Sequence, residues 1–295
     1  MANTLGIAST DKLITEALRG LQGRYALLKA ITIDWTSEEL LPGQSAKFKR
    51  PGAVGIVDYG TALPDFTLTD GTLTMGTAKE VGVSLTATEI LASNLDYLKI
   101  QAQPMTEKVA NYITTEAAAL ITSGNFPAAL EVELEDVGYR TLTSAFTALV
   151  TAKIPGPYTF RAGLVLWEAL LNDAKILAAY QKSDGTNQPV QEATIGNLAG
   201  FAQVICDPFL PAGVLGFASA QEALIVKVAP VADVAAANPD APRTYGYRLV
   251  SDGVLGYTVA LLNTSSKLGV SRSMGFVIGK AVGDGRFGVR VVEAA

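Results

Sequence analysis

Residues 104–124 read PMTEKVANYITTEAAALITSG, and their apolar side chains recur at steps of three or four residues. Positions with this spacing lie on one face of a helix, so the pattern predicts a helix with a single apolar stripe. At about 1.5 Å per residue, the run from Met105 is on the order of 25 Å long. Pro104 either begins this helix or kinks a longer one that starts near Asp96, and Gly124 is predicted to end it. The stripe comprises Met105, Val109, Ile113, Ala117, Leu120 and Ile121.

The chain before this helix has an apolar period of two, which is typical of β-strands. Over residues 46–85 the alternation predicts a long hairpin, in which Phe66 and Leu68 point to one face and the Asp-Gly pair at Gly71 supplies a turn. Two-stranded ribbons are marginal alone in water. We therefore expect this one to lie on the body of the protein or on a neighbouring subunit. Residues 9–31 predict a broken or short helix in an extended arm.

Three basic residues stand at the start of the predicted hairpin, namely Lys47, Lys49 and Arg50. Together with Phe66 and Leu68 they are predicted to contact a neighbouring copy, where the cations would meet acidic groups. Exposed ion pairs contribute only about 0–1 kcal/mol each, so solvated lysines without a partner remain the alternative.

Near the C-terminus, Gly283, Gly285 and Gly288 have the G-x-G-x-x-G spacing of the dinucleotide-binding fingerprint. In that fold the last glycine opens a helix whose N–H groups hold the pyrophosphate. The seven residues after Gly288 have the pattern of a short strand, so a nucleotide site is the weaker alternative. The favoured interpretation is a hairpin in which Gly285 occupies a type I′ turn with positive φ. Asp-Gly pairs also predict turns at Gly71 and Gly253.

The composition is unusually poor in charge for a chain of 295 residues, which is long enough for one large or two modest domains. The hydrophobic fraction is 49% and the charged fraction 17%, against a usual charged share of about 25%. This apolar surplus predicts association with other copies. The net charge of −5 argues against a dedicated nucleic-acid binder. We expect neither a membrane span nor a signal peptide.

The sequence contains no histidine. This excludes Ser-His-Asp and Cys-His catalysis within one chain and zinc sites built on histidine. The single cysteine, Cys206, excludes an intrachain disulfide, and its apolar, strand-like surroundings predict a buried, inert thiol. The densest acidic stretch is predicted to be solvated, with a metal or catalytic cluster as the alternative, and its members are Glu131, Glu133, Glu135 and Asp136. No catalytic residue, cofactor or metal site is predicted.

The second half of the chain alternates between the two periods. Residues 136–154 and 164–174 predict helices, while residues 158–163 predict a strand. Two further short, buried strands are predicted within residues 192–219, and from Tyr245 onward the pattern is that of strands. The predicted fold class is therefore α+β.

Taken in order, the arm, the long hairpin, the long helix, the mixed region and the terminal strands resemble the major capsid (coat) protein of tailed bacteriophages, the Hong Kong 97-type fold. The resemblance covers nearly the whole chain, and the ordered set is more specific than any one motif. The stretches that carry it are DKLITEALRGLQGRYALLKAITIDW (11–35), LTATEILASNLDYLKIQAQPMTEKVANYITTEAAALI (85–121) and ATIGNLAGFAQVICDPFLPAG (193–213).

The resemblance implies a division of the chain into the parts of that fold. Residues 1–45 would be the N-terminal arm, residues 46–85 the extended hairpin (E-loop), and residues 86–125 the spine helix of the peripheral domain. Residues 126–240 would form mainly the axial domain, and residues 241–295 would supply strands that complete both domains.

The resemblance also implies a structural, non-enzymatic protein that self-assembles into the hexamers and pentamers of an icosahedral head enclosing double-stranded DNA. The expected partners are other copies of the chain, a scaffolding protein, a portal, a decoration protein and weakly contacted DNA, without a cofactor or a membrane. The expected location is the virion, after assembly in the host cytoplasm. Two alternatives stay open: an encapsulin-like compartment shell, and a cytoplasmic enzyme that uses a carboxylate or a lysine.

Overall fold

The computed structural model describes residues 32–33, 42–51, 68–86, 95–173, 194–231, 245–252, 257–266 and 269–294. Its strands are β1 (Thr32–Ile33), β2 (Ser45–Pro51), β3 (Leu68–Thr86), β4 (Ala129–Val132), β5 (Tyr158–Ala162), β6 (Thr194–Leu198), β7 (Phe201–Cys206), β8 (Val214–Ala220), β9 (Leu224–Pro230), β10 (Tyr245–Asp252), β11 (Tyr257–Ser266), β12 (Gly269–Val282) and β13 (Gly288–Glu293). Its helices are α1 (Leu95–Ala118), α2 (Tyr139–Thr151) and α3 (Leu164–Asn172), with 3₁₀ turns at Leu134–Asp136 and Gly285–Phe287. Helices and strands are thus mixed, as predicted.

In the part of the chain that the structure describes, the first sheet has seven strands, with β12 through its middle. β3 pairs with one edge of β12, while β9 and β11 pair with the other edge, one after the other. β10 continues the sheet beyond β11, and β1 continues it beyond β9. Thr74 of β3 has Ser45 of β2 on one side and Lys280 of β12 on the other, so β3 lies between β2 and β12.

Helix α1 packs its apolar stripe against one face of the first sheet. Met105, Val109 and Ile113 are buried, together with residues of β9 and β12 such as Val226 and Phe276. Pro104 lies inside the helix, so the longer of the two predicted helices is the one that forms. No described helix combines the length and low polarity that crossing a bilayer requires.

The predicted end of the helix at Gly124 is wrong, because α1 ends at Ala118. The N–H of Ala119 still bonds four residues back, to Thr115, but those of Leu120 and Ile121 bond three residues back, which tightens the chain into a turn. Leu120 therefore lies beyond the helix, although it still packs against the same cluster.

The second sheet has the order β4-β13-β8-β5-β7-β6 among the described residues. β4 runs parallel to β13 and β5 parallel to β7, while β8 is antiparallel to both of its neighbours. Helices α2 and α3 cover one face, and their buried residues, such as Leu142 and Leu166, share a core with Phe160 and Val204. The two predicted helices and the strand predicted at residues 158–163 are confirmed within a few residues of their bounds. Residues 194–220 form three strands, β6, β7 and β8, where two were predicted.

The turn predicted at Gly71 is wrong, because this glycine lies inside strand β3, opposite Phe48 of β2. The ring of Phe48 lies against Gly71 so closely that an added Cβ would come within 2.3 Å of it. The glycine thus makes room for an aromatic ring. β2 and β3 do pair as the predicted hairpin requires. Phe66, Gly253 and the predicted arm helix lie outside the described residues.

The hairpin predicted at Gly285 is also wrong. β12 belongs to the first sheet and β13 to the second, so residues 283–287 carry the chain from one sheet to the other. Gly285 begins a 3₁₀ turn, where the carboxylate of Asp284 accepts a hydrogen bond of 2.9 Å from the N–H of Arg286. Its φ is not in the left-handed region.

The three glycines of the G-x-G-x-x-G pattern are explained by close packing, because a side chain at each position would overlap a neighbouring atom. An added Cβ would lie 1.9 Å from the carbonyl oxygen of Glu222 at Gly283, and 2.3 Å from that of Asn125 at Gly285. At Gly288 it would lie 2.5 Å from the ring of Phe217. The element that follows Gly288 is strand β13, not a phosphate-binding helix. The spacing therefore marks a crossing too narrow for side chains.

Replacing Ile113 by Asp is expected to give insoluble protein, or to cost about 3–5 kcal/mol of unfolding free energy, because an unpaired carboxylate would be buried under α1. Lys108→Asp, at an exposed position of the same helix, is the control and should keep the solubility of the wild type. Soluble yield and urea denaturation measure both. Equal stability of the two variants would show that the stripe does not face the core.

Replacing Gly285 by Ala is expected to lower the unfolding free energy by about 1–3 kcal/mol, because the new methyl group overlaps the Asn125 carbonyl. Gly124→Ala is the control, since a Cβ there meets no atom within 4 Å.

In thermal denaturation, NAD or ATP should leave the wild-type melting temperature unchanged. A ligand-dependent rise that Gly285→Ala abolishes would restore the nucleotide interpretation.

Candidate assembly surface

β2 and the first part of β3 form a ribbon with one buried, apolar face. Phe48 and Leu73 lie at its centre, each less than 5% exposed. The cluster on this face comprises Ala46, Phe48, Leu73, Met75, Ile225, Ala229, Val277 and Ala281. The ribbon was expected to lie on the body of the protein or on a neighbouring subunit. Its apolar face packs against β9 and β12 of the same chain.

The opposite face of the ribbon is polar and basic. Lys47 and Lys49 alternate with Phe48 along β2, so their side chains leave on the side away from the buried cluster. The hydroxyls of Ser45 and Thr74 meet on this polar side at 2.8 Å. Both lysines are exposed.

Two further lysines continue this face along the first sheet. Lys280 of β12 pairs directly with Thr74, and Lys79 of β3 pairs directly with Phe276. Phe276 and Lys280 are four residues apart on one strand and share a face, which is the face under α1, since Phe276 stacks edge to face on Tyr112 with ring centroids 5.8 Å apart. We call Lys47, Lys49, Lys79 and Lys280 the lysine face.

Glu116 of α1 ties the helix to this face. Lys280 Nζ donates to Glu116 Oε2 over 2.5 Å. This hydrogen bond is the main reason why the pKa of Glu116 is lowered; the charges of Lys280 and Lys79 and the hydroxyl of Tyr112 act in the same direction, while partial burial opposes them. Burial, and then the charge of Glu116, raises the pKa of Tyr112. The carboxylate on α1 is thus held charged by lysines of two strands, β12 and β3.

A second acid on the ribbon, Asp70, pairs with Lys49 of the facing strand. The hydrogen bond from Lys49 lowers the pKa of Asp70, and the charge of Lys47 adds to the effect. Both partners are largely exposed, so the pair contributes little to stability.

Beyond Met75, the outer edge of β3 has no partner strand among the described residues. All five residues of the stretch 76–80 are exposed, so both faces of the strand are open to solvent there. A β-bulge begins the stretch, where the register against β12 shifts between Val277 and Gly279. Bulges and edge charges such as Lys79 and Glu80 discourage indiscriminate strand pairing.

At the edge of the second sheet, β4 leads into the acidic stretch of the sequence. Residues 131–136, which we call the acidic segment, carry four exposed carboxylates. Leu134 lies among them and is 48% exposed. The predicted solvation of these acids is confirmed. Within the described residues, no group of three or more His, Cys, Asp or Glu side chains is placed to hold a metal ion.

The predicted contact residues are only partly described. Arg50 pairs with Thr69 and Leu68 with Pro51 along the ribbon ladder. Phe66 lies outside the described residues. A contact of Lys47, Lys49, Arg50, Phe66 and Leu68 with a neighbouring copy remains a prediction.

A buried ion pair that the sequence did not predict joins β5 to the chain after β7. Arg161 and Asp207 are fully buried, and Arg161 Nε donates to Asp207 Oδ2 over 2.7 Å. Burial lowers the pKa of Arg161, while the carboxylate opposes this shift. Cys206, next to Asp207 in the chain, is half-buried, so this thiol is less buried than the sequence predicted. Its partial burial raises the pKa of the thiol, which favours the uncharged, less reactive form. The available signal was a charge inside the apolar run YTFRAG.

No protein-family model matches the sequence, and no curated protein matches it either. Solved structures do match. The capsid structure of the cyanophage P-SCSP1u is 11% identical with a TM-score of 0.57, over 90% of this chain and 86% of that one. The capsid of Ralstonia phage GP4 is 11% identical with a TM-score of 0.56, over 92% and 89% of the two chains. A virus-like particle from Pyrococcus furiosus is 12% identical with a TM-score of 0.53, over 95% and 97%.

These likenesses cover almost the full length of each chain, so they concern the whole arrangement of elements and not one motif. The chain has the fold of phage capsid proteins. The resemblance inferred from the order of the sequence elements is thereby confirmed at the level of the fold.

Replacing Glu116 by Gln is expected to lower the unfolding free energy at pH 7 by a few tenths to about 1 kcal/mol, because Glu116 and Lys280 are partly exposed. The native state lowers the pKa of Glu116, so the stabilisation is present above the ordinary glutamate pKa of about 4.3 and is lost as the pH falls through the native value. Urea denaturation curves of wild type and variant should therefore converge below about pH 4.

Glu168→Gln on the exposed side of α3 is the control for this titration, and its unfolding free energy should match that of the wild type at pH 7 and at pH 3. A difference between Glu116→Gln and wild type that stays constant from pH 7 to pH 3 would show that the charge of Glu116 does not stabilise the fold.

Proposed function

We propose that this chain is the major capsid protein of a tailed bacteriophage, whose copies self-assemble into an icosahedral head that encloses double-stranded DNA. The observation that carries the proposal is the fold, which matches phage capsids over about nine tenths of the chain with TM-scores above 0.5. The function is structural, and its chemistry lies in contacts between copies rather than in a catalytic site.

The surface of the chain supports this proposal physically. Large apolar residues are exposed where no described element covers them, and they are Leu134, Val150, Leu164, Val165 and Leu249. The charged fraction of 17% gives few polar groups with which to keep a free monomer apart from its copies. Contacts between copies would cover both the apolar residues and the open edge of β3.

The parts of the fold fit the proposed division of the chain. α1 is the spine helix within residues 86–125, and the β2–β3 ribbon is the base of the extended hairpin, residues 46–85. The second sheet forms most of the axial domain within residues 126–240, whereas β9 of that range joins the first sheet. The terminal strands within residues 241–295 contribute to both sheets. The proposed arm, residues 1–45, lies mostly outside the described residues, and its Thr32–Ile33 strand pairs with β9 in the first sheet.

The proposed partners follow from the same function. Copies of the chain form hexamers and pentamers, with a scaffolding protein, a portal and a decoration protein as further partners in the virion after assembly in the host cytoplasm. The net charge of −5 means that packaged DNA is contacted weakly and without sequence preference.

A second candidate function is the shell of a protein compartment of the encapsulin type. The likeness to the virus-like particle from Pyrococcus furiosus supports it, with a TM-score of 0.53 over 95% of this chain. The two candidates share a fold and differ in cargo, which is DNA in a phage head and protein in a compartment.

Electron microscopy and light scattering of the purified protein, with a scaffolding partner if required, test the proposal. We expect closed shells, and particles recovered from an infected or expressing host should contain nuclease-protected DNA if the shell is a phage head. Closed shells that hold protein cargo and no DNA would favour the compartment. A monomer that persists under all assembly conditions and binds a small ligand tightly would overturn both and support the enzyme alternative.

A further inference from the structure

Charge is distributed unevenly over this molecule. The lysine face carries four cations and, through Asp70 and Glu116, two anions, so it has a net charge of about +2 by this count, in a chain whose net charge is −5. Lys49 forms an ion pair with Asp70, and Lys280 forms one with Glu116. Lys47 and Lys79 are exposed and take part in no ion pair of the described residues.

The acidic segment is the counterpart of opposite sign. Its four carboxylates are all exposed. Leu134 presents an apolar side chain, 48% exposed, at the centre of these charges. An apolar centre with a charged rim is the arrangement found at protein interfaces.

The two surfaces belong to different sheets of the same subunit. The lysine face lies on the first sheet and under α1, while the acidic segment lies at the β4 edge of the second sheet. No ion pair among the described residues joins them. Each surface is therefore free to meet its complement on another molecule.

We propose that the lysine face of one copy docks on the acidic segment of a second copy, with Lys47 and Lys79 facing the carboxylates around Leu134. This inference rests on the proposed function, since it names one contact of the shell. Contacts between two different patches are heterologous, and they generate closed rings when the rotation between copies closes. The two surfaces thus supply a head-to-tail link between subunits.

Charge complementarity of this kind acts mainly on the rate and the specificity of association, and salt screens it. The assembly rate of the wild type should therefore fall as sodium chloride is raised from about 50 mM toward 500 mM. Apolar contacts alone would give the opposite trend or none.

Two charge-reversed proteins test the contact. The first carries Lys47→Glu and Lys79→Glu, so that both of its surfaces are acidic. The second carries Glu131→Lys, Glu133→Lys and Glu135→Lys, which leave Asp136 as the one acid of the segment, so that both of its surfaces are basic. By light scattering, each alone should assemble at least about tenfold more slowly than the wild type. An equimolar mixture should recover a rate within about threefold of the wild type, because each surface again meets its opposite charge.

Two single variants control for charge and position. Glu80→Lys changes the neighbour of Lys79 in β3; the side chain of Glu80 leaves on the face opposite to Lys79. Glu168→Lys changes an exposed acid on α3. Both should assemble at the wild-type rate. Thermal denaturation of all four proteins checks that the folded subunit is intact, and the rescue by mixing separates lost contact from lost fold.

Wild-type rates for either reversed protein, or a mixture as slow as its components, would overturn the inference while leaving the proposed function standing. Lys47→Glu/Lys79→Glu particles that assemble normally but retain less DNA would overturn it too, by assigning the lysine face to nucleic acid. If the wild type forms no shells, the proposed function fails. Sedimentation of the mixture of the two reversed proteins then tests the proposed contact by itself. Two species that do not associate would overturn the contact.

Discussion

The two sheets of this protein are joined by a passage that excludes side chains. Strand β12 forms the middle of the first sheet and β13 an inner strand of the second, and the few residues between them pass the backbone of Glu222 and Asn125. Only glycine fits at Gly283 and Gly285. Because β12 pairs with three strands of the first sheet and β13 with two strands of the second, this connection sets how the first sheet meets the second.

The sequence predicts the elements whose signal is local. The α1 stripe follows from a period that needs no partner to be visible, and its core positions, such as Val109 and Ile113, are buried. The strands and helices of the second sheet are likewise bounded by their own prolines and glycines. The order of these elements was enough to indicate the fold that the structural neighbours share.

The two wrong turn predictions have one physical cause, which is that distant residues override a local turn signal. Gly71 looks like a turn until the ring of Phe48, 23 positions earlier, is placed against it. Gly285 is shaped by Asn125, and Arg161 finds its carboxylate 46 residues away at Asp207. The lysine face could not be found by spacing either, because it is assembled from three strands, and its acids come from β3 and α1.

β3 belongs both to the exposed ribbon and to the sheet under α1, and this continuity has a mechanical consequence. A neighbour that pulls on the ribbon along the strand loads the β3–β12 ladder from Thr74 to Thr86 lengthwise, so that its hydrogen bonds bear the force together instead of opening one by one. The Lys280–Glu116 bridge passes the load on to the helix. The ribbon is thus anchored through β3 in the core of the protein, and in the proposed shell an outward pressure on the wall would load this ladder in shear.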